Sequence, residues 1–357
     1  MNTKLRRPWR FVGVFAVALV ALAACGSSGS SKAATPDSTG STVPVAKVTP
    51  AWQKVIDAAK KEGSVTIYSS QGTDQLNDLA ERFKKKYGIK VDILRDVDAT
   101  IEAKVGAEHT ANKPVADLVA ISDASWINDK GAAGWWTKPT GPDFDAAAYD
   151  KADNINEHGS FVTSAAVFAI GWNTQQVPEG IKSYKDLLNP KFKGKIGIND
   201  ATVSPSVVDF YFYLQEQNGN DFVQKLAALN PQVFPSVLQI GQNVTSGQLS
   251  VGLAVQALVD EKANGAPVDF LVPKPAWGVR FWTQITANAP HPNAAQLLGD
   301  FMVTTGGQEA IARKSGSALP DVAGAVISVK DVRKPDPSKL TPDAVSAFDA
   351  EFKKLFQ

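Results

Sequence analysis

Two successive stretches of this chain alternate predicted strands with predicted helices, and this pattern limits the fold more than any other feature. In the first stretch, a strand at 65–68 precedes a helix at 73–87, and a strand at 89–94 precedes a helix at 100–109. A third strand follows at 116–121. Such alternation predicts an α/β fold in which helices cover both faces of a largely parallel sheet.

The second stretch contains the most informative single segment, SYKDLLNPKFKGKIGINDATVSPS at 183–206. A short amphipathic turn stops before Pro190, because the residue preceding a proline is pushed out of the helical region. A brief buried strand is predicted at 196–198, and a polar loop leads to Ser204 and Pro205. Serine is a favoured N-cap and proline a favoured first helical residue. Such a helix start presents unpaired N–H groups, which suit an anion or a polar ligand oxygen.

The composition is that of a globular protein without a nucleic-acid partner. Of the 357 residues, 44% are hydrophobic and 20% are charged, which are ordinary globular values. The formal net charge of +1 shows no basic surplus of the kind that indicates nucleic-acid binding. The three histidines, His109, His158 and His291, form no metal-binding motif, so we expect neither a metal site nor a cofactor.

Residues 1–24 have the pattern of a lipoprotein signal peptide. Four positive residues lead into an apolar run at 11–22, which is shorter than the roughly 20 residues of a spanning helix. The run ends in LAACG at 22–26, a match to the bacterial lipobox, in which the cysteine thiol accepts diacylglycerol. Cys25 is the only cysteine, so no internal disulfide can form. The alternative is an ordinary secretory signal with an incidental cysteine.

Residues 25–50 are rich in Ser, Gly, Ala, Thr and Pro and are predicted to form a flexible tether. Removal of the signal peptide takes away four positive residues and no acidic ones, which changes the formal charge from +1 to −3. Attachment to an anionic membrane would therefore depend on the lipid at Cys25, and a further acyl chain such as palmitate would make it lasting. The predicted location is the outer face of the cell membrane.

The run DLLNPKFKGKIGI at 186–198 resembles the start of the second lobe in bacterial extracellular solute-binding proteins. The group it is similar to contains the ferric-iron-binding proteins of ABC importers, and the resemblance extends over roughly 65–322. It implies a two-lobed periplasmic-binding-protein-like fold, in which each lobe is a mixed sheet flanked by helices and hinge strands join the lobes. The first lobe is expected at 51–164 plus 281–325, and the second at 165–280 plus 326–357.

The apolar run at 161–172 is expected to be the first hinge strand. In a protein of this family, long strands shared by two rigid lobes bend at a few residues. The alternative is a plain buried strand inside one domain.

Ligands of open α/β sheets bind at the carboxyl ends of the strands. The residues at these ends in the first stretch are Ser69, Ser70, Gln71, Gly72 and Asp123. The resemblance implies that both loops hold ligand, with Gly72 at the position of a histidine ligand and Asp123 near that of a glutamate. Trp126 is a further candidate because it follows Asp123 closely. The alternatives are turn formation for the first loop, helix capping for Asp123 and core packing for Trp126.

In the second lobe, the resemblance places Thr202, Val203 and Ser204 where iron-binding relatives hold the anion that accompanies the metal. Those relatives carry two adjacent tyrosines after the strand predicted at 249–254, whereas this chain has Gln256 and no tyrosine nearby. The ferric site is therefore not carried over, and Gln256 is a candidate hydrogen-bonding group for an organic ligand.

The second crossing between the lobes is expected near Trp277 and Arg280. Arg280 would bind a carboxylate or phosphonate through two parallel hydrogen bonds, and Trp277 would stack on a flat ligand or cover a cation. The alternatives are a surface salt bridge for Arg280 and simple packing for Trp277.

These features predict a lipid-anchored binding protein, monomeric as is usual in the family, that captures a small polar or anionic solute and passes it to an ABC permease. A metal or metal-chelate binding protein is the nearest alternative. An exported enzyme or a structural envelope lipoprotein are the others. We expect no enzyme, because the chain has no GxSxG, HExxH or phosphate-loop motif.

Overall fold

The computed structural model describes residues 48–334 and 336–357. The predicted signal peptide, Cys25 and the predicted tether up to residue 47 lie outside these ranges. The helices are α1 (Pro50–Glu62), α2 (Thr73–Tyr87), α3 (Asp98–Thr110), α4 (Ala124–Ala132), α5 (Lys151–Asn154), α6 (Pro205–Asn218), α7 (Phe222–Ala227), α8 (Val237–Thr245), α9 (Val259–Ala263), α10 (Pro292–Met302), α11 (Thr305–Ile311) and α12 (Pro342–Phe356). Within the described ranges, none of the helices has the length and apolar character needed to cross a bilayer.

The strands form two mixed sheets. They are β1 (Ser64–Ser69), β2 (Lys90–Arg95), β3 (Leu118–Ile121), β4 (Trp136–Thr137), β5 (Phe161–Val167), β6 (Ala169–Asn173), β7 (Ile196–Asn199), β8 (Gln232–Phe234), β9 (Val251–Val255), β10 (Val268–Leu271), β11 (Gly278–Thr286), β12 (Gly316–Ser317) and β13 (Ile327–Ser328). The first sheet has the order β13-β12-β5-β11-β3-β1-β2, with β4 on β11, and the second has the order β10-β6-β9-β7-β8. The predicted α/β class with two mixed sheets is confirmed. We call the part of the chain around each sheet the first lobe and the second lobe.

Helix α2 shows why the predicted elements form. Gly72 precedes it, and Gly88 ends it in the left-handed region at φ 77°, which glycine adopts without a Cβ clash. Leu76, Leu79 and Phe83 recur at helical spacing and are buried. Burial of each such side chain contributes about 1.5–3 kcal/mol. The position of α2, and thus of its amino end, is therefore held by its apolar face.

The second lobe has an aromatic core that includes the carboxyl-terminal helix. Tyr211 on α6 packs against Phe348 and Phe352 on α12, with ring centroids 5.6 and 5.4 Å apart. All three residues are buried. The chain therefore returns to the second lobe after β13, which belongs to the first sheet.

The apolar run at 161–172 is two strands in different sheets, and both sheets lie within one compact unit. β5 pairs with β11 and β12, whereas β6 pairs with β9 and β10. Phe168 is the single residue between them, and its N–H donates to the carbonyl of Trp277 at 3.2 Å. Val167 and β13 both pair with strands of the first sheet. The first sheet therefore extends a few residues beyond 164 and 325, the limits expected for the first lobe.

Candidate functional site

The carboxyl ends of strands from both sheets meet at the Phe168 crossing. β11 is antiparallel to both β3 and β5, and β3 is parallel to β1, so β5 ends at the same sheet edge as β1 and β3. β6 begins where β9 ends, because Ala169 pairs with Val255. Since one residue separates β5 from β6, the carboxyl edges of the two sheets border the same crossing. We call the space between these edges the cleft.

A cavity of about 190 Å³ lies in the cleft. Its lining residues are Gly72, Thr73, Asp74, Gln75, Gln256, Arg313 and Lys314. The first four residues form the start of α2, which follows β1 in the chain, and Gln256 follows β9. Arg313 and Lys314, the two cations of the lining, lie between α11 and β12. The cavity thus brings together Gly72 and Gln256, two predicted site residues from different lobes. Another cavity, beside the stacked rings of His109 and Trp135, borders the amino end of β3 and lies at the opposite edge of the first sheet.

The loop after β1 is held by its own side chains. Ser69 Oγ accepts a hydrogen bond from the Gln71 N–H at 3.1 Å, and Gln71 Nε2 donates to Ser164 Oγ on β5 at 2.7 Å. Ser69 and Gln71 are both buried, so they shape the loop and do not line the cavity. Ser70 Oγ is buried but has no hydrogen-bond partner in the described part of the chain. A buried hydroxyl of this kind has bonding capacity left for water or a ligand.

The start of α2 is joined to the segment that carries the two cations. No side chain caps the first turn, because the N-cap residue is Gly72. Gln75 Oε1 accepts from the Gly72 N–H at 3.2 Å, and Gln75 Nε2 donates to the Arg313 carbonyl at 2.7 Å and to Ser315 Oγ at 3.2 Å. The positive end of the α2 dipole and the two cations therefore act on the same cavity.

Arg313 and Lys314 both contact a carboxylate of the second lobe. Arg313 Nη2 lies 2.5 Å from Asp260 Oδ1, and Lys314 Nζ contacts Asp260 Oδ2. The hydrogen bond from Lys314 is the main reason that the pKa of Asp260 lies below its ordinary value. No sequence pattern identifies these three residues as a site, because the two cations and Asp260 are far apart along the chain and no spacing connects them.

A further cation lies beside the loop after β1. The Arg95 side chain is at the end of β2, where Nε donates to the Gln71 carbonyl at 3.3 Å and Nη2 to the Ser70 carbonyl at 3.4 Å. Arg95 is exposed and forms no ion pair with any described residue. It adds positive potential to the edge of the first sheet.

Asp123 and Trp126 have local partners after β3. Asp123 Oδ1 accepts from the N–H groups of Ser125 and Trp126, both at 2.9 Å, and so caps α4. Trp126 is half-buried and packs edge-on against Trp135, with ring centroids 6.1 Å apart. The capping and packing alternatives describe these contacts, and neither residue lines the cavity.

Thr202, Val203 and Ser204 follow β7 on the edge of the second sheet. Thr202 Oγ1 donates to Asp200 Oδ1 at 2.8 Å, and the Val203 side chain is exposed. Helix α6 begins at Pro205 after Ser204, as predicted, but the Ser204 side chain does not cap it. The Ser204 hydroxyl instead lies 2.8 Å from Ser206 Oγ. These residues share the cleft edge with Gln256 and lie outside the cavity lining.

Trp277 and Arg280 are interior residues, in contrast with the expectation that they contact ligand. Arg280 is 8% exposed, and Nη2 pairs with Asp153 Oδ2 at 2.9 Å and donates to the Val329 carbonyl at 3.0 Å. Trp277 is 3% exposed, and its indole N–H donates to Asp209 Oδ2 at 2.7 Å. Both side chains are buried because elements of both lobes pack around the start of β11.

The described residues provide few suitable ligands for a ferric ion. Among the described residues, no three His, Cys, Asp or Glu side chains are grouped to hold a metal. Burial raises the pKa of every tyrosine phenol above its ordinary value, which disfavours the phenolate form. The six tyrosines are Tyr68, Tyr87, Tyr149, Tyr184, Tyr211 and Tyr213.

Comparison with solved structures shows which proteins share this fold. Iron-bound HitA from Pseudomonas aeruginosa matches with a TM-score of 0.60 and 16% identity, over 82% of this chain and 99% of that chain. AfuA from Actinobacillus pleuropneumoniae, with bound fructose-6-phosphate, matches with a TM-score of 0.57 and 22% identity, over 82% and 98%. A substrate-binding protein of an ABC transporter from Agrobacterium tumefaciens matches with a TM-score of 0.64 and 16% identity, over 82% and 94%. At these identities the likeness establishes the fold.

The family is established by sequence. The family described as bacterial extracellular solute-binding protein matches residues 65–316, which is more than two thirds of the chain. This match confirms the resemblance that the segment at 186–198 indicated. On this evidence the chain belongs to the bacterial extracellular solute-binding proteins.

Proposed function

We propose that this protein captures a small polar or anionic solute in its cleft and delivers it to an ABC importer. The observation that carries the proposal is the cavity lined from both lobes, where the start of α2, Gln256 and two cations converge. A solute that contacts both lobes stabilises their closed arrangement only to the extent that it binds this arrangement more tightly. Delivery to an ABC importer is supported by the similar protein from Agrobacterium tumefaciens, a substrate-binding protein of an ABC transporter.

The charges around the cleft favour an anion. Arg95, Arg313 and Lys314 all lie at the edge of the first sheet, and the uncapped start of α2 adds a positive dipole end. Ser70 and Gln256 would supply neutral hydrogen-bonding groups. The similar structures differ in their ligands, since AfuA holds fructose-6-phosphate and HitA holds iron. The choice of an anion therefore depends on the residues of this chain.

A metal or metal chelate is the second candidate, because HitA is iron-bound. No tyrosine in the described part of the chain lines the cavity, so a bare ferric ion there would lack the phenolate oxygens that suit it. A chelate with anionic ligands would meet the same cations as an organic anion. We propose a binding role and not a catalytic one, since the family consists of solute-binding proteins.

We further propose that a lipid on Cys25 holds a monomeric protein at the outer face of the membrane, near its permease. The support is the LAACG pattern at 22–26. Fractionation of host cells tests this proposal. The wild type and the control Ser27→Ala should remain with membranes, and Cys25→Ser should appear in the soluble fraction. Release of all three proteins alike would contradict lipid anchoring.

Native mass spectrometry of protein purified from its own host tests the main proposal. We expect a bound small molecule whose mass is lost on partial denaturation. Calorimetric titration with that molecule should then show binding, and small-angle scattering should show a more compact particle. If no molecule is retained, and a broad panel of solutes produces neither heat nor compaction, the solute-binding proposal fails.

A further inference from the structure

Arg313 and Lys314, the two cations of the cavity, both pair with the carboxylate of Asp260 from the opposite lobe. We propose that Arg313 and Lys314 form the anion-binding part of the solute site, and that Asp260 is an internal competitor which an anionic solute must displace. This inference rests on the proposed function, because it assigns specificity-determining residues to the same site. It begins from the contacts of Asp260 with Arg313 at 2.5 Å and with Lys314.

The backbone that carries the cations is held in place. The Lys314 N–H donates to the Gly324 carbonyl at 2.8 Å, and Gln75 binds the Arg313 carbonyl at 2.7 Å. Lys314 has a φ of 61°, a conformation that costs a non-glycine residue free energy and persists only where the surroundings impose it. Both side chains therefore start from a fixed point beside the first turn of α2.

Asp260, by contrast, is held loosely enough to leave. It lies in α9, a helix of five residues, and its side chain is 33% exposed. Ion pairs at such exposed sites contribute little stability, since water replaces the lost partner. A phosphate or carboxylate with several oxygens can accept from Arg313, from Lys314 and from the N–H groups of α2 at once. Such a solute makes more hydrogen bonds to the site than one aspartate does.

Displacement of Asp260 also changes the charge of the cavity. The lining residues include one carboxylate, Asp74, and two cations, Arg313 and Lys314. With Asp260 in contact, two carboxylates offset the two cations. When Asp260 leaves, one positive charge is in excess, and Arg95 adds to it from the adjacent loop. The emptied site therefore favours an anion over a neutral compound of the same shape.

The variant Asp260→Asn tests this inference, and Asp269→Asn is its matched control. Asp269 has a side chain that is 34% exposed and pairs with Lys262 at 2.7 Å within the second lobe, away from the cavity. Both substitutions remove one carboxylate from an exposed ion pair in the same lobe. The probes are inorganic phosphate, succinate and fructose 6-phosphate, with fructose as the neutral compound, and binding is measured by calorimetric titration of the folded protein.

We expect Asp260→Asn to bind at least one anionic probe about two- to fivefold more tightly than the wild type, the range that an exposed ion pair allows. Asp269→Asn should bind like the wild type, and fructose should not distinguish the three proteins. Weaker binding by Asp260→Asn would show that Asp260 assists closure, and equal gains in both variants would show an effect of net charge. Either result overturns the inference, as does an unchanged affinity.

Failure of the inference can be separated from failure of the proposed function. If no anionic probe binds any of the three proteins, the anion site is overturned. A neutral molecule found by native mass spectrometry would then leave solute capture intact. Loss of both the retained molecule and the compaction in scattering would instead remove the proposed function.

Discussion

Charged groups inside the lobes and charged groups at the cleft differ in what surrounds them. Arg280 is 8% exposed, and Asp209, which pairs with Arg333, is 4% exposed. Arg313 and Asp260 have side chains that are 43% and 33% exposed. Removal of a partner leaves a desolvated charge in the interior, whereas water takes the place of a lost partner at the cleft. We therefore expect removal of an interior charge to lower the folding stability, and removal of a cleft charge to change solute binding with little effect on stability.

The two arginines show what this difference teaches. Both were open to the same expectation, because a guanidinium can hold a carboxylate through two hydrogen bonds. Arg280 lies on β11 and gives its hydrogen bonds to Asp153 and Val329, whereas Arg313 lies in a turn beside a cavity. The element that carries an arginine and its burial decide its role, and residue type alone does not.

The largest effect is expected for Arg280→Ala. The substitution removes the buried donor to the Val329 carbonyl and one of the two cations that pair with Asp153, the other being Lys334. The free energy of unfolding should fall by about 3 kcal/mol, the upper end for a charged hydrogen bond. Urea unfolding at pH 7 measures this loss. The control Arg82→Ala removes an arginine that is 39% exposed and should cost less than about 1 kcal/mol. Unchanged stability together with much weaker solute binding would restore Arg280 to the ligand site.

The next effect concerns the pH dependence of stability. Burial, and then the nearby charge of Asp143, raises the pKa of Asp300 to about 8 from an ordinary value of 3.8. Because the pKa is raised in the folded state, protonation of Asp300 favours the folded protein. This contribution to the free energy of unfolding is fully present below about pH 4 and is lost as the pH rises through 8. Between pH 6 and pH 8 the wild type should lose about 2 kcal/mol of unfolding free energy.

Asp300→Asn should flatten this pH dependence, because asparagine stays neutral at every pH tested. Urea titrations at several pH values compare it with the wild type and with the surface control Asp129→Asn, whose side chain is 71% exposed. Parallel curves for all three proteins would show that Asp300 ionises in the native state without cost.

An effect of similar size is expected for Arg313→Ala, this time on binding. Loss of a charged hydrogen bond should weaken binding of an anionic solute by about 2 kcal/mol, which is roughly thirtyfold. The unfolding free energy should change by less than about 1 kcal/mol, because the side chain is 43% exposed. Calorimetric titration and urea unfolding of the same preparation measure both quantities. A large loss of stability would place Arg313 with the interior arginines and break the comparison.

The smallest effect is expected for Gly72→Ala. Its φ of −62° accepts alanine, but the new Cβ would lie 2.7 Å from Gln75 Oε1, so the Gln75 side chain must move. The hydrogen bond from Gln75 to the Arg313 carbonyl would weaken, and the free energy of solute binding should fall by less than about 1 kcal/mol. The control Gly106→Ala has open space around its Cβ and should leave affinity unchanged. Equal affinities for both variants would separate the start of α2 from the cation segment.

Local sequence patterns predicted the elements well where punctuating residues mark their ends. Helix α2 occupies its predicted span because Gly72 and Gly88 flank it. Helix α6 starts at Pro205, as the Ser204-Pro205 pair indicates. The run at 161–172 was predicted as one strand, because it is a nearly continuous apolar run and nothing in its composition marks Phe168 as a break. The change of sheet depends on strand pairing between distant segments, which periodicity does not contain.

The sequence by itself determined the α/β class, most of the helices and strands, and the family, because these follow from local periodicity and from a family resemblance along the chain. Its candidate site residues included Gly72, which follows a predicted strand, and Gln256, which the family resemblance indicated, and both line the cavity. Only the tertiary structure decided that Arg280 is interior and that Arg313, Lys314 and Asp260 meet in the cleft. The physical reason is that burial and ion pairing depend on distances between segments far apart in the chain, and the folded packing of both lobes sets those distances.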